Sequence, residues 1–271
     1  MTAPRTSTNT APSILIYAPR DRARATLRAA FPRRRNHVRI VRTAVAFEAV
    51  FRDTLVDAAI LDFGGMPGTP EDVWRVAAYA REFPSVPFFG LLPLRASDGP
   101  TVAQCASYDF ADVLVDGVDD AATRELVLRE SFSARFARAL SEPPKALSLC
   151  STLQQSAWRA IILRAGREVR TDSLAKALRV TREHLSRTFA AEGGPNLKRV
   201  IDLVRLLAAA ELAKNPGYDV RDVANVLGFA SASHLSTTSQ RIVGTKSASL
   251  SRLRTIDLVD RFVRGHGRSR G

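Results

Sequence analysis

Along the first 140 residues, short apolar runs alternate with amphipathic stretches. Residues 13–18 (SILIYA) are apolar and end at Pro19; residues 20–31 then space apolar side chains helically among arginines, which predicts a strand feeding a helix. The pattern recurs. Strands are predicted over 38–42, 58–61 (ending in Asp62), 87–92 and 113–115, and helices over 44–55, 73–82, 101–107 and, as one long closing element, 121–140. A Gly/Pro loop, GGMPGTP, follows Asp62. Strands alternating with helices call for a parallel five-stranded sheet covered on both faces, an α/β domain over residues 13–140.

After residue 140 the period changes. The segment SEPPK (141–145) cannot continue a helix, because adjacent prolines remove donors and bias the preceding residue away from helical angles; it is read as a linker. Residues 146–164 are expected to form a helix with Trp158, Ile161 and Ile162 toward a core. Leu174, Ala175, Leu178, Val180, Leu185 and Phe189 then share one apolar side and leave Arg182, Glu183, Ser186 and Arg187 outward. Thr181 stands where a helix cap belongs. About fifty residues later a weaker copy appears: Val223 and Ala224 match Leu174 and Ala175, Gly228 falls in the turn, and Ser231 takes the cap. Two helix-turn-helix units in tandem are predicted, the second exposing Ser233, Ser236, Thr237 and Arg241.

These residues resemble the DNA-binding domain of the AraC/XylS family of bacterial transcription regulators. The resemblance rests on the leucine-alanine pair, HLSRTF followed by Glu192 and Gly194, Arg205-Leu206 and Ala209 of the connecting helix, and Val223-Ala224 with Gly228-Phe229. It covers roughly residues 150 to 253 of an all-α domain set at 146–255, and it implies two recognition helices in successive major grooves with the Arg205-containing helix fixing their separation. The second unit departs from the family's pattern. Thr237 stands where an arginine is usual, Ser239 where a core aromatic is usual and Ser247 where a proline is usual, so this unit is expected to be looser; Arg179 replaces a turn glycine in the first. His234 is expected to pack at the helix crossing in a tyrosine's place. Residues 256–271 are read as partly amphipathic through Phe262 and then as a basic tail, a solvated end or, more sharply, a phosphate-binding extension.

Charge sharpens this reading. The formal net charge of +13 is uneven: residues 141–271 hold 22 Lys and Arg against 11 Asp and Glu, whereas residues 1–140 hold 18 against 16. A cationic domain gains affinity for a polyanion by releasing condensed counterions, so double-stranded DNA is the favoured partner. Cys105 and Cys150 stand singly, without metal-type spacing, and are read as buried thiols in a reducing compartment. Residues 1–12, rich in Thr, Pro and Ala, are expected to be a disordered tail without a signal peptide's apolar core; a cytoplasmic protein with no membrane segment is expected.

The first domain, with an aspartate closing its third strand and MPG shortly after, resembles the receiver domain of two-component response regulators, which implies a flavodoxin-like fold and Asp62 as phospho-acceptor. The supporting chemistry is missing. The acidic pair that would hold Mg²⁺ is matched by Ala18 and Pro19, the hydroxyl residue by Leu92 and the lysine by Asp116, and Met66 comes one residue later than the family has it. Asp62 is therefore expected to be a strand-end polar relic, with no cofactor, metal or catalytic residue assigned. The resemblance also implies a dimer face over 104–107, 113–115 and 125–140. The expectation is thus a sequence-specific, non-enzymatic transcription regulator, with a homodimer and RNA polymerase as protein partners. Its rival is a protein-interaction adaptor or nonspecific DNA binder with an eroded second recognition helix.

Overall fold

Apolar runs without polar alternation become central strands. The computed structural model describes residues 11–32, 37–65, 71–118, 120–191 and 194–267 of the chain. The expected tail up to residue 10, Met66, Glu192 and residues 268–271 lie outside them. The strands β1 (Ser13–Tyr17), β2 (His37–Val41), β3 (Ala58–Asp62), β4 (Phe88–Leu92) and β5 (Asp112–Val115) pair in parallel in the order β2-β1-β3-β4-β5. That is the doubly wound, flavodoxin-like, receiver-like order. Every residue of β3 and β4 is buried, as strands covered on both faces must be.

The helices α1 (Asp21–Ala30), α2 (Ala44–Asp53), α3 (Glu71–Ala77), α4 (Tyr79–Glu82), α5 (Gly99–Ser107), α6 (Asp120–Glu130) and α7 (Phe132–Ala139) complete this part. Ile14, Ile16, Ile60, Phe89 and Leu91 pack against Ala23, Leu27 and Phe31 of the α1 region and Val127 of α6. Elsewhere Phe51 lies 4.5 Å from Phe83 and 5.9 Å from Phe88 between ring centroids. Two predicted helices are broken. The closing helix splits at Ser131, whose hydroxyl donates to the Leu128 carbonyl at 2.7 Å, while the buried Asp57 carboxylate accepts from the backbone N–H groups of Ser13 (2.6 Å) and Ser133 (3.1 Å). Capturing an early amide of α7 starts a fresh helix. The predicted 73–82 helix tightens at Ala78, whose carbonyl accepts from the Arg81 amide three residues on.

The remaining helices are α8 (Thr152–Ile162), α9 (Thr171–Ala177), α10 (Arg182–Ala190), α11 (Leu197–Leu212), α12 (Val220–Val226), α13 (Ala232–Val243) and α14 (Thr255–Gly267). By contact, one compact unit comprises Ala11–Arg135 with Asn215–Gly217 and the other Phe136–Lys214 with Tyr218 onward. The predicted 146–164 helix begins only at Thr152. A single 3-10 turn ends at Ser148, in the left-handed region at φ 51°, and Ser151 and Gln154 then close a reciprocal capping box at 3.1 and 2.9 Å. Trp158, Ile161 and Ile162 are buried as expected, with the Trp158 Nε1–H donating to the Leu140 carbonyl at 2.8 Å. Gly166, at φ 82°, lets α8 run close to α11: a Cβ there would fall 2.3 Å from that of Ala208. Residues 256–267 are not a solvated end. Helix α14 buries Leu258, Val259 and Phe262 and packs on α11 and α13.

Candidate nucleic-acid interface

Each helix-turn-helix unit is built by the same local chemistry. In the first, Arg179 takes φ 56°, the Val180 amide donates back to the Ala175 carbonyl at 3.1 Å, and the Thr181 hydroxyl accepts from the His184 amide at 3.1 Å. In the second, Gly228 takes φ 68°, the Phe229 amide donates to the Ala224 carbonyl at 2.8 Å, and the Ser231 hydroxyl accepts from the His234 amide at 3.0 Å. A left-handed residue turns the chain, and a hydroxyl cap then starts α10 or α13. Leu185 and Phe189 anchor α10 inward; Leu235, Ile242 and Val243 anchor α13.

On α10 this anchoring leaves Arg182, Glu183, Ser186 and Arg187 all exposed. At 100° per residue, positions i, i+1, i+4 and i+5 share one side of the helix, so the four are brought together. Arg187 has no ion-pair partner among the described residues. Arg182 lies 3.5 Å from Asp172, both well exposed, a pairing worth at most about 1 kcal/mol. A groove of about 680 Å³ beside α10 includes Arg182 and Ser186 and is also lined by Arg170 and Lys198, two exposed cations that the sequence reading passed over. Lys198 was findable: it occupies the first turn of α11 just after the Asn196 cap.

On α13, Ser233 and Thr237 are exposed and Ser236 is half-buried; Gln240, also exposed, continues their row and was likewise passed over. Arg241 is set apart. Its Nη2 donates to Asp202 of α11 at 2.8 Å, which commits it in part to holding α13 in place. Ser239, where a core aromatic is usual, is fully buried, its hydroxyl donates to the Thr245 carbonyl at 2.8 Å, and α14 packs on α13. The His234 ring meets Phe229 edge-on at 5.7 Å, the packing role expected of it, although the residue stays exposed.

The connecting helix reaches into the second turn through Arg205. This buried guanidinium donates to the carbonyls of Leu227 (3.2 Å) and Gly228 (3.3 Å) and lies 3.9 Å from the Phe229 ring centroid. Burial pushes it below the ordinary arginine value, with Asp202 and Glu168 opposing. Asp202 and Arg205, one turn apart, thus grip α13 and the turn before it. In the α/β unit, Asp62 is buried at the end of β3 and ion-paired with Arg20.

A family profile described as "Helix-turn-helix domain" matches residues 174–252. No curated protein matches the chain. Similar solved structures include full-length FixJ from B. japonicum, at 12% identity and TM-score 0.39, over 71% of this chain and 95% of that one. RcsB from Salmonella enterica serovar Typhimurium, bound to promoter P1flhDC in the presence of phosphomimetic BeF3-, is similar at 15% identity and TM-score 0.31, over 93% of this chain and 98% of that one. Among the described residues no helix is long and apolar enough to cross a membrane. With both turns, both caps and the matched span coinciding, residues 174–252 are a helix-turn-helix domain of the AraC type.

Proposed function

We propose that the chain is a sequence-specific DNA-binding regulator of transcription that works without phosphorylation at Asp62. The observation that carries this is the outward cluster of Arg182, Glu183, Ser186 and Arg187 on a helix anchored from behind by Leu185 and Phe189. Arg187 is the base reader: an arginine fork fits guanine O6 and N7, and Glu183 beside it can accept from cytosine N4. Arg182, Ser186, Ser233 and Thr237 supply phosphate or base-edge contacts, and Lys198 and Arg170 add phosphate charge. Ser236 contributes at the edge of this surface, and Arg241 chiefly holds α13 to α11.

The experiment is selection of bound duplexes from a random pool at fixed salt, repeated with Arg187→Ala. The substitution should weaken binding to the selected site by about 1 to 3 kcal/mol and relax preference at one base position. A second reading, a nonspecific binder or adaptor, draws on one observation: the exposed amino-terminal part of α13 presents Ser233 and Thr237 but no cation. A steep salt dependence with no enriched sequence would establish that reading and end the first. A homodimer through α5, β5, α6 and α7 (residues 104–107, 113–115 and 125–140), and contact with RNA polymerase, belong to the same proposal; sedimentation of the full chain tests the first and co-purification with the polymerase the second.

A further inference from the structure

A receiver-like fold implies a divalent cation beside the aspartate that ends β3, and the residues around Asp62 do not fit one. The Asp62 side chain is fully buried and that of Asp116 only 2% exposed, so two carboxylates face one corner almost without water. Uncompensated, that arrangement is costly. The first residues of α1 and its approach supply the compensation. The Arg20 Nε donates to both oxygens of Asp62 at 2.9 Å, and its Nη2 bonds Asp62 while lying 3.4 Å from Asp116. Thr26 donates to Asp116 at 3.3 Å, and the Gly64 amide donates to Asp62 at 3.1 Å.

The backbone oxygens of the same corner are taken too. Arg24, itself buried, donates to the Ala18 carbonyl at 2.9 Å and to the Pro19 carbonyl, and pairs with Asp21. A hard cation needs several free oxygen ligands, and here the carboxylates and the nearby carbonyls already hold guanidinium N–H groups. Gly64 makes room for the arrangement. Its backbone lies outside the left-handed region, yet a Cβ would fall 2.1 Å from the Arg20 Nη2. A side chain at this position would displace that guanidinium rather than strain the backbone.

We propose that Arg20 is a tethered counterion: it is shared between Asp62 and Asp116, with Arg22 a further cation 3.9 Å from Asp116, and it stands in the place where a dissociable cation would otherwise be needed. Removing the guanidinium should then turn a site that ignores metal into one that binds it. The test is thermal unfolding of the full chain with and without millimolar MgCl₂ or MnCl₂. The wild-type melting temperature should not respond to either salt. Arg20→Ala should melt several degrees lower and regain most of that loss in MnCl₂, whereas Arg20→Ala/Asp62→Asn, lacking one carboxylate, should not respond.

Should Arg20→Ala fail to fold, Gly64→Ala carries the comparison, because its methyl pushes the guanidinium off Asp62 while keeping every charge; it should lower the melting temperature and gain Mn²⁺ sensitivity. Stabilisation of the wild type by Mn²⁺ would overturn the proposal. So would an Arg20→Ala or Gly64→Ala protein that melts like the wild type, or one that is destabilised but indifferent to Mn²⁺.

Discussion

Replacing Arg205 by methionine tests how the two recognition helices are held at a fixed separation. The substitution keeps an apolar stem of similar length in α11 and removes the guanidinium that bonds the Leu227 and Gly228 carbonyls and covers the Phe229 ring. Hydrogen bonds from a charged donor contribute about 1.5 kcal/mol each at the low end, which suits contacts of 3.2 and 3.3 Å. A desolvated cation–π contact adds about 2 kcal/mol. Against this gross loss of about 5 kcal/mol stands the relief of no longer burying a cation, whose size the lowered pKa signals only by direction. The net expectation is a loss of about 2 to 3 kcal/mol, or a melting temperature lower by about 5 to 10 °C in a chain of this size.

Binding discriminates this from a generic loss of stability. Well below the melting point, the variant should bind a duplex containing only the sequence read by α10 as the wild type does, but bind the full site more weakly, since the turn before α13 is no longer fixed to α11. Lysine should rescue little, because an ammonium is a point donor that cannot bond two carbonyls and lie flat on a ring together. A methionine variant that melts within about 1 °C of the wild type and binds the full site unchanged would refute the argument.

Other outcomes follow from single contacts. Ser239→Ala should lose about 1 kcal/mol with its bond to the Thr245 carbonyl, and Ser239→Phe should lose more through overpacking, although an aromatic is usual there; chemical denaturation measures both. Gly166→Ala should cost about 2 to 5 kcal/mol, combining left-handed backbone strain with a methyl driven into Ala208, read by the same denaturation curves. Arg179→Gly should instead stabilise by about 1 kcal/mol, since a side chain at φ 56° is strained where Gly228 is not. Burial pushes the Cys105 thiol up to about 11, so below that pH it stays protonated and inert, whereas Cys150, expected to be buried, is exposed beside the α8 cap; iodoacetamide at neutral pH should label Cys150 in the native protein and Cys105 only after unfolding.

The parts of the molecule that were legible in advance are those whose causes lie within a few residues. Thr181 and Ser231 cap helices because their hydroxyls meet an amide three residues on, and Leu185 and Phe189 are buried because helical spacing puts them on one side. The sheet was legible for the same reason, its continuous apolar runs having only buried positions to fill. What was missed depends on polar partners far along the chain. The break at Ser131 answers to a carboxylate at Asp57, and the fate of Asp62 to a guanidinium at Arg20, 42 residues earlier. Ser239 looked like a lost aromatic because composition shows the missing ring but not the carbonyl that the hydroxyl would find.

Helix α14 was legible only in part: its amphipathic stretch through Phe262 shows in the sequence, but not that α11 and α13 offer a surface for Leu258, Val259 and Phe262 to cover. In both units, then, the local pattern chose the elements, and charged or hydroxyl groups from distant segments decided where those elements end and how they are held. Arg205 and Arg20 are the two clearest cases. Each is an arginine that a reading by surface charge would assign to solvent or to DNA, and each is instead spent inside its own unit on oxygens that would otherwise be left without a partner. The cations that remain for a polyanion are the exposed ones, with at most a weak surface pairing to give up, and on α10 Arg187 has not even that among the described residues.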